Sequence, residues 1–448
     1  MARYALWAAG FPEFVYQGRS RNNCRGYARQ SVEIRRLATA GTVEIRTRNT
    51  LARNQNTMSF DHPSRMGHPR ESSTAPSAPP IYQTTAFDVG DLDVLHSIHT
   101  GKIAGDIYTR DSSPNHSALA ESIAVLEGAE AGVVFASGMG ALGSIFLTLA
   151  CAGDHVILAR SLYGKTVQLA NRMKTQFGIA ISTFDATRPE NLREVLTEKT
   201  CLVLIETVSN PLLEISDIQA IANLVPPEVP LVVDSTFTSP MLIKPIQLGA
   251  SIVMHSGSKY INGHGDVMLG LAAGSNELMK RLNRTASVFG TNANPFESWL
   301  CQRGLKTLPL RMAHICRTTN ELAQALNGHP GLRRVYHPSL PDHASHEIAQ
   351  RLYPSGTGGI LTLELAGNGR DAVNAFMRAA ESVPFSPTLA DARTTLSHPA
   401  MTSHSFMSSR ARAEIGIRDE LVRISVGLEP VEMLIQELTA VLNSLTRV

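Results

Sequence analysis

From residue 117 to about residue 255, short apolar runs alternate with stretches of helical spacing. Residues 132–136, 155–159, 180–184, 201–206, 231–234 and 252–255 are continuous, largely β-branched runs bounded by turn residues, and they read as strands. Residues 118–126, 140–150, 166–177, 189–196 and 215–224 have the spacing of helices. Uninterrupted apolar strands alternating with helices predict a mostly parallel sheet buried on both faces, and hence an α/β fold. The pattern changes after about residue 310. A long helix over 312–326, a strand over 359–365, and helices over 371–380 and 431–445 predict a second, smaller α/β domain. The expected organisation is a leader at 1–57, an N-terminal arm at 58–112, a large domain at 113–310 and a small C-terminal domain at 311–448.

One stretch, 131–153, carries no charge and is long enough to span a bilayer. Ser137, Gly138, Gly140, Gly143 and Ser144 interrupt it, so it reads as strand, glycine turn and buried helix, and no membrane partner is expected. The leader differs from everything after it. Residues 1–57 hold ten Arg, no Lys and three Glu, a charge of +7, whereas the whole 448-residue chain carries +2; the body is therefore −5. A mildly acidic body offers no basic stripe, which excludes a general nucleic-acid-binding role. The leader lacks the apolar core of a secretory signal. It reads either as an organellar transit peptide or as a non-functional extension before Met58, with the protein cytoplasmic or, in the first case, in an organellar matrix. Residues 61–80 are rich in Pro and Ser and predict an extended surface segment. With 43% apolar residues the chain can bury a full core. Its five Cys are dispersed without a C-x-x-C pair, which fits neither a disulfide framework nor a structural zinc site.

In sheets of this kind ligands bind beyond the carboxyl ends of the strands. Polar residues gather there: Ser137-Gly138, Glu206, Asn210, Asp234 and Ser256-Gly257-Ser258-Lys259. Gly138 to Gly143 fits G-x-G-x-x-G after a strand and before a helix, the pattern of a dinucleotide site. The acid required at the end of the next strand is missing, because that strand ends Leu158-Ala159-Arg160. An NADP-linked oxidoreductase is therefore the weaker reading, but anion binding on Gly138 and Met139 survives it. Lys259 follows a buried strand, and no G-x-x-x-x-G-K is present to make it a P-loop lysine. It is either a solvated loop lysine or an amine activated by desolvation for covalent bonding to a carbonyl cofactor. Ser256 and Ser258 would suit a phosphate ester on that cofactor. Asp234 is either a strand-end turn residue or the carboxylate opposite a pyridinium nitrogen.

Eight motifs occur in order: Tyr108-Thr109-Arg110, Ala136-Ser137-Gly138-Met139, Leu162-Tyr163-Gly164, Glu206-Thr207 with Asn210-Pro211, Asp234-Ser235-Thr236-Phe237, Ser256-x-Ser258-Lys259-Tyr260, Gly263-His264-Gly265-Asp266, and Leu421-Val422-Arg423-Ile424-Ser425-Val426-Gly427. Together they closely resemble the Cys/Met-metabolism family of pyridoxal-phosphate enzymes, which includes cystathionine γ-synthase, cystathionine γ-lyase and methionine γ-lyase. The resemblance runs from about residue 79 to the C-terminus. It implies a fold type I large domain, a pyridoxal 5′-phosphate cofactor, a small amino-acid substrate and a homo-oligomer, a dimer of dimers. It also implies roles. Lys259 bonds the cofactor and moves protons, Asp234 holds the pyridine nitrogen, and Tyr163 stacks on the ring and is placed to protonate the leaving group. Gly138, Met139, Ser256 and Ser258 bind the phosphate, which Tyr108 and Arg110 reach from the neighbouring subunit. Asn210 lies near the 3′-oxygen, Arg423 clamps the substrate carboxylate, and Thr388 and Tyr108 border the substrate. The implied reaction is γ-elimination on a sulfur-type amino acid such as cystathionine or methionine; the alternative is γ-replacement, as in cystathionine γ-synthase or an O-acylhomoserine sulfhydrylase.

The chain departs from the family pattern at several places. Ser113-Pro114-Asn115 replaces Asn-Pro-Thr, Thr388-Leu389-Ala390 replaces Ser-Leu-Gly, Arg393 stands where cystathionine-using relatives carry Glu, and Lys165 replaces the Cys that follows Tyr-Gly in methionine γ-lyases. Without the motifs, Arg423 within a Val/Ile run reads as an edge-strand cation. His343 and His346 with Glu347 read as part of a surface helix rather than a metal site, so no metal is expected. His264 reads as structural, and Cys301 and Cys316 as core thiols.

Overall fold

A computed structural model of the chain describes residues 31–34, 45–48 and 76–446. The rest of the leader, and the arm up to residue 75, lie outside the described residues. In the unit formed by residues 1–60, β1 (Ser31–Ile34) and β2 (Ile45–Arg48) pair antiparallel, with Ser31 opposite Arg48. No element was expected there, and each strand is only four residues long.

Residues 61–448 form the second unit. Its larger sheet contains β3 (Ala131–Phe135), β4 (His155–Ala159), β5 (Ala180–Phe184), β6 (Thr200–Glu206), β7 (Leu231–Asp234), β8 (Ile252–Ser256) and β9 (Gly270–Gly274), in the order β3-β9-β8-β7-β6-β4-β5. The five strands from β8 to β5 run parallel, as the apolar runs predict, and β4 and most of β6, β7 and β8 are buried. β9 gives no signal in the sequence. Its residues, Gly-Leu-Ala-Ala-Gly, lack the β-branched side chains that mark a strand, yet it pairs antiparallel with both β3 and β8. Gly270 has to be glycine, because a Cβ there would run into the Ser137 carbonyl. Two helices that follow, Asn276–Phe289 and Pro295–Leu305, were not anticipated either, although Ser275 and Asn294 cap them.

The smaller sheet is β10 (Leu332–Tyr336), β11 (Ile360–Leu365), β12 (Thr395–Ser397) and β13 (Leu421–Ser425), antiparallel in the order β10-β11-β13-β12. Its own apolar core includes Leu326, Leu363, Phe376, Ile424 and Leu438, from the sheet and the helices Leu308–Leu326, Gly369–Ala379 and Val431–Leu445. The second and larger core surrounds the seven-stranded sheet. Two elements are shorter than their spacing predicts. The helix expected over 189–196 is a 3₁₀ segment, Pro189–Glu194, and that over 215–224 shrinks to Ile218–Ala222, shortly before Pro226-Pro227. The charge-free stretch divides into β3 and the helix Gly138–Leu149. Among the described residues no helix is long and apolar enough to cross a membrane.

Candidate active site

A cavity of about 750 Å³ opens between the carboxyl ends of the parallel strands and the segments around β12 and β13. That volume suits a small-molecule site, which spans roughly 300–1,000 Å³. Gly138 and Met139 line it at the first turn of the helix Gly138–Leu149, which Ser137 caps by accepting the Gly140 N–H at 2.9 Å. Gly138 lies against Ser256: a Cβ there would stand 2.9 Å from the Ser256 Cβ. The strand before this helix, β3, pairs antiparallel with β9, whereas a dinucleotide fingerprint belongs to a parallel βαβ unit. The glycine pattern therefore belongs to a different architecture from the oxidoreductase alternative.

Asp234 ends β7, and its Oδ1 accepts from the Thr236 N–H at 3.0 Å and the Thr236 hydroxyl at 2.5 Å. Burial pushes its carboxyl upward despite these donors. Thr236 Oγ1 in turn accepts the Ser256 N–H at 2.9 Å, tying β7 to the turn that carries Ser256, Ser258 and Lys259. That turn is held further by a residue the sequence did not single out. Arg311, buried on the long helix, donates to the carbonyls of Tyr260, Ile261 and Gly304 at 2.6, 3.2 and 3.0 Å. Gly263, at φ +72°, packs directly on the Arg311 guanidinium, so no side chain fits there. Tyr260, fully buried, accepts the Gly359 N–H at 2.9 Å and joins the same turn to the start of β11.

Lys259 Nζ donates to Thr388 Oγ1 at 3.0 Å, so Lys259 is not a solvated loop lysine. Burial, and then the Arg423 guanidinium, pull its amine down to about 8. Arg423 is only 4% exposed and lies on β13 between β11 and β12, which corrects the edge-strand reading. It donates to Asn210 Oδ1 at 3.1 Å and to the Thr388 carbonyl at 2.8 Å, while its Nε is buried without a partner. Tyr163 enters the cavity 40% exposed, and its backbone N–H donates to Glu206 Oε1 at 2.6 Å. Burial raises its phenol. Ten of the twelve expected site residues thus share one cavity: Gly138, Met139, Tyr163, Asn210, Asp234, Ser256, Ser258, Lys259, Thr388 and Arg423.

Tyr108 and Arg110 do not line it. Arg110 stacks over the Tyr108 ring at 5.0 Å, and Tyr108 is exposed. Arg393 points away as well; it is exposed and reaches only the Ser382 carbonyl, at 3.4 Å. Lys165 lines the cavity and donates to Gln168 Oε1 at 3.1 Å. The surface-helix reading of His343 needs correction. His343 is buried, precedes the helix His346–Leu352, and its Nε2 meets the Leu212 carbonyl at 2.9 Å. No group of His, Cys, Asp or Glu among the described residues is arranged to hold a metal. Cys301 and Cys316 are buried free thiols.

Relatives with known activities share this sequence along most of its length. The chain is 37% identical over 365 residues to an L-methionine gamma-lyase of Fusobacterium nucleatum subsp. nucleatum, covering 81% of this chain and 92% of that protein. It is 38% identical over 333 residues to an O-succinylhomoserine sulfhydrylase of Pseudomonas aeruginosa, covering 74% and 82%. The fold superposes on the crystal structure of cystathionine gamma synthase from Xanthomonas oryzae pv. oryzae in complex with cystathionine, with a TM-score of 0.80 at 34% identity, over 86% of this chain and 97% of that one. The profile described as Cys/Met metabolism PLP-dependent enzyme matches residues 64–443, and the chain belongs to that family of pyridoxal-phosphate enzymes.

Proposed function

We propose that the chain is a pyridoxal-phosphate-dependent lyase that removes the γ-substituent of a sulfur-type α-amino acid, such as methionine or cystathionine. Arg423 carries this reading: a guanidinium buried in a sheet interior, with an unsatisfied Nε, facing the same cavity as a lysine whose amine is pulled down to about 8. A buried cation with donors left over is suited to a ligand carboxylate.

The residues fit the cofactor. Gly138, which has no room for a side chain against Ser256, would cradle the phosphate with the helix N-terminus, Met139 N–H and the Ser256 and Ser258 hydroxyls. Asp234 would face the pyridine nitrogen, Asn210 the 3′-oxygen and Tyr163 the ring face. When bound, the cofactor supplies a conjugated ring that draws negative charge away from the substrate α-carbon. Arg423 would hold the α-carboxylate and so aim the Cα–H at Lys259. Lys259 Nζ, made less basic by desolvation, would take that proton and, only after giving it up again, take one from Cβ. The Tyr163 hydroxyl, kept protonated by burial, can donate to the departing γ-heteroatom. Replacement in place of elimination is the second reading, supported by the sulfhydrylase relative and the synthase structure. Screening methionine, cystathionine and O-acylated homoserines for 2-oxo acid release, with and without an added thiol, tests both. No oxo acid from any of them would sink the lyase reading.

We further propose that Tyr108 and Arg110 complete the phosphate site of a second copy, since the arm holds them outside their own cavity. Mixing an Arg110→Ala protein with a Lys259→Ala protein should restore activity through hybrid dimers that regain one full site. The division into domains at 113–310 and 311–448 is proposed on the two sheets, which fall on either side of that boundary. Unpaired Cys151, Cys201, Cys301 and Cys316 support a reducing compartment such as the cytoplasm.

A further inference from the structure

A second buried carboxyl borders the cavity and has no part in the scheme above. Glu206 ends β6 as Asp234 ends β7, and the two are direct partners in the parallel register. They are the only carboxylates among the described residues that line the cavity. On its other side Glu206 borders a small cleft walled by Asp185 and Glu214, of which Asp185 pairs with Arg160 and Glu214 accepts from Ser161. Among the described residues neither Glu206 nor Asp234 forms an ion pair. Lys259 is engaged with Thr388, Arg423 with Asn210 and Thr388, and His255, on the neighbouring strand, with Glu127 at 2.6 Å. Two adjacent carboxylates in such surroundings do not both stay ionised. Asp234 receives two hydrogen bonds from Thr236 on one oxygen, whereas Glu206 receives one, from Tyr163. The donors favour the charge on Asp234 and leave the proton to Glu206.

We propose that Glu206 is a positioning residue that works as the neutral acid: its carbonyl oxygen accepts the Tyr163 N–H and fixes the Tyr163 ring at the cavity, while Asp234 remains the one anion there. Its importance rests on the cofactor reading, because Tyr163 matters through the ring it would stack on. Local structure makes the anchor necessary. Tyr163 opens the helix Gly164–Phe177 without a side-chain cap; its carbonyl accepts the Thr166 and Val167 N–H groups, and Glu206 is the acceptor of its own N–H. Burial and the Asp234 charge both push the Glu206 carboxyl well above the usual carboxylate range, against the single Tyr163 N–H.

Holoenzymes of wild type, Glu206→Ala and Glu206→Gln decide the matter. The Ala variant leaves the Tyr163 N–H without its acceptor and should weaken pyridoxal-phosphate retention about tenfold or more, with a shifted cofactor absorption band. The Gln variant keeps a neutral carbonyl at the same reach and should rescue both. Infrared spectra at neutral pH should show a protonated-carboxyl stretch in wild type that is lost in Glu206→Gln. A Gln variant as impaired as Ala would mean that the charge is required, and a band unchanged by Glu206→Gln would place the proton elsewhere; either result overturns the proposal. If no form took up pyridoxal phosphate, the cofactor reading would fail instead, and the infrared band would still decide the state of Glu206.

Discussion

Lys259 reaches the cavity from a turn just past the end of β8, whereas Arg423 reaches it from the middle of β13 in the other sheet. Both cations are desolvated, and burial is the larger cause of each shift, to about 8 for Lys259 and about 10 for Arg423. The turn that carries Lys259 is held by partners from outside it: the Arg311 guanidinium, the Thr236 hydroxyl and the Tyr260–Gly359 bond. Arg423 has strand pairing on both sides, so its backbone is fixed by the sheet itself. The amine, on a long unbranched side chain, is brought within reach of losing its proton, whereas the guanidinium stays charged on a paired strand. That difference suits a proton-transferring group on one side of a substrate and a rigid clamp on the other.

The largest effect is expected on the Lys259 side. Lys259→Ala should abolish the borohydride-reducible attachment of the cofactor and lower turnover by about a thousandfold or more, since the other amine that lines the cavity, Lys165, is engaged with Gln168. Mass analysis after reduction, together with oxo acid assays, checks both. A variant that still traps cofactor covalently at a near-native rate would remove Lys259 from its proposed place.

The same contrast explains what the sequence disclosed. On the large sheet the chemistry follows the periodicity. Asp234 and Lys259 stand where apolar runs stop, so a polar residue there draws attention by position alone. On the small sheet it does not. Arg423 lies inside Leu-Val-Arg-Ile-Ser, where spacing suggests only a cation tolerated at an edge, and the eight ordered motifs were needed to find it. Glu206 was visible as a strand-end acid, but its adjacency to Asp234 depends on strand register, which no single run encodes. Arg311 and β9 were silent for other reasons: a charged residue on a helix reads as solvated, and a strand of Gly and Ala carries no propensity. Arg393, a departure with apparent meaning for substrate choice, turns outward to the Ser382 carbonyl.

Arg423→Lys sharpens the clamp half of the comparison. A lysine keeps the charge but loses the fork that holds Asn210 and the Thr388 carbonyl and that is proposed to clamp a carboxylate as well. KM for amino-acid substrates should rise about tenfold to a hundredfold, with kcat falling less. An equal loss in kcat with KM unchanged would assign Arg423 to the chemical step instead.

An effect of similar size at most, visible only without cofactor, tests the desolvation of Lys259. Its amine is about 8 in the folded chain against an ordinary 10.5. Between those values the unfolded chain binds the extra proton, so stability should rise with pH across that window, by about 3 kcal/mol at most. Denaturant titrations at pH 8 and pH 10 of the cofactor-free protein should show the rise, and Lys259→Met should remove it. Identical pH slopes in the two proteins would show that the amine is solvated after all.

The smallest effect belongs to the segment that links the two sides. Thr388 gives its hydroxyl to Lys259 and its carbonyl to Arg423, and two residues later Ala390 sits at φ +66°. That left-handed backbone is held because the Ala390 N–H donates to Ser425 Oγ at 2.7 Å, at the end of β13. Alanine is strained there and glycine is not, although glycine loses more entropy on folding. The balance favours glycine, so Ala390→Gly should raise stability by about 0.5–1 kcal/mol. It should leave the Thr388 contacts, and with them KM, unchanged. Thermal melting combined with KM measurements separates the outcomes. A destabilised Ala390→Gly would show that the Ala390 methyl, buried against the core around the large sheet, is worth more than the strain it imposes.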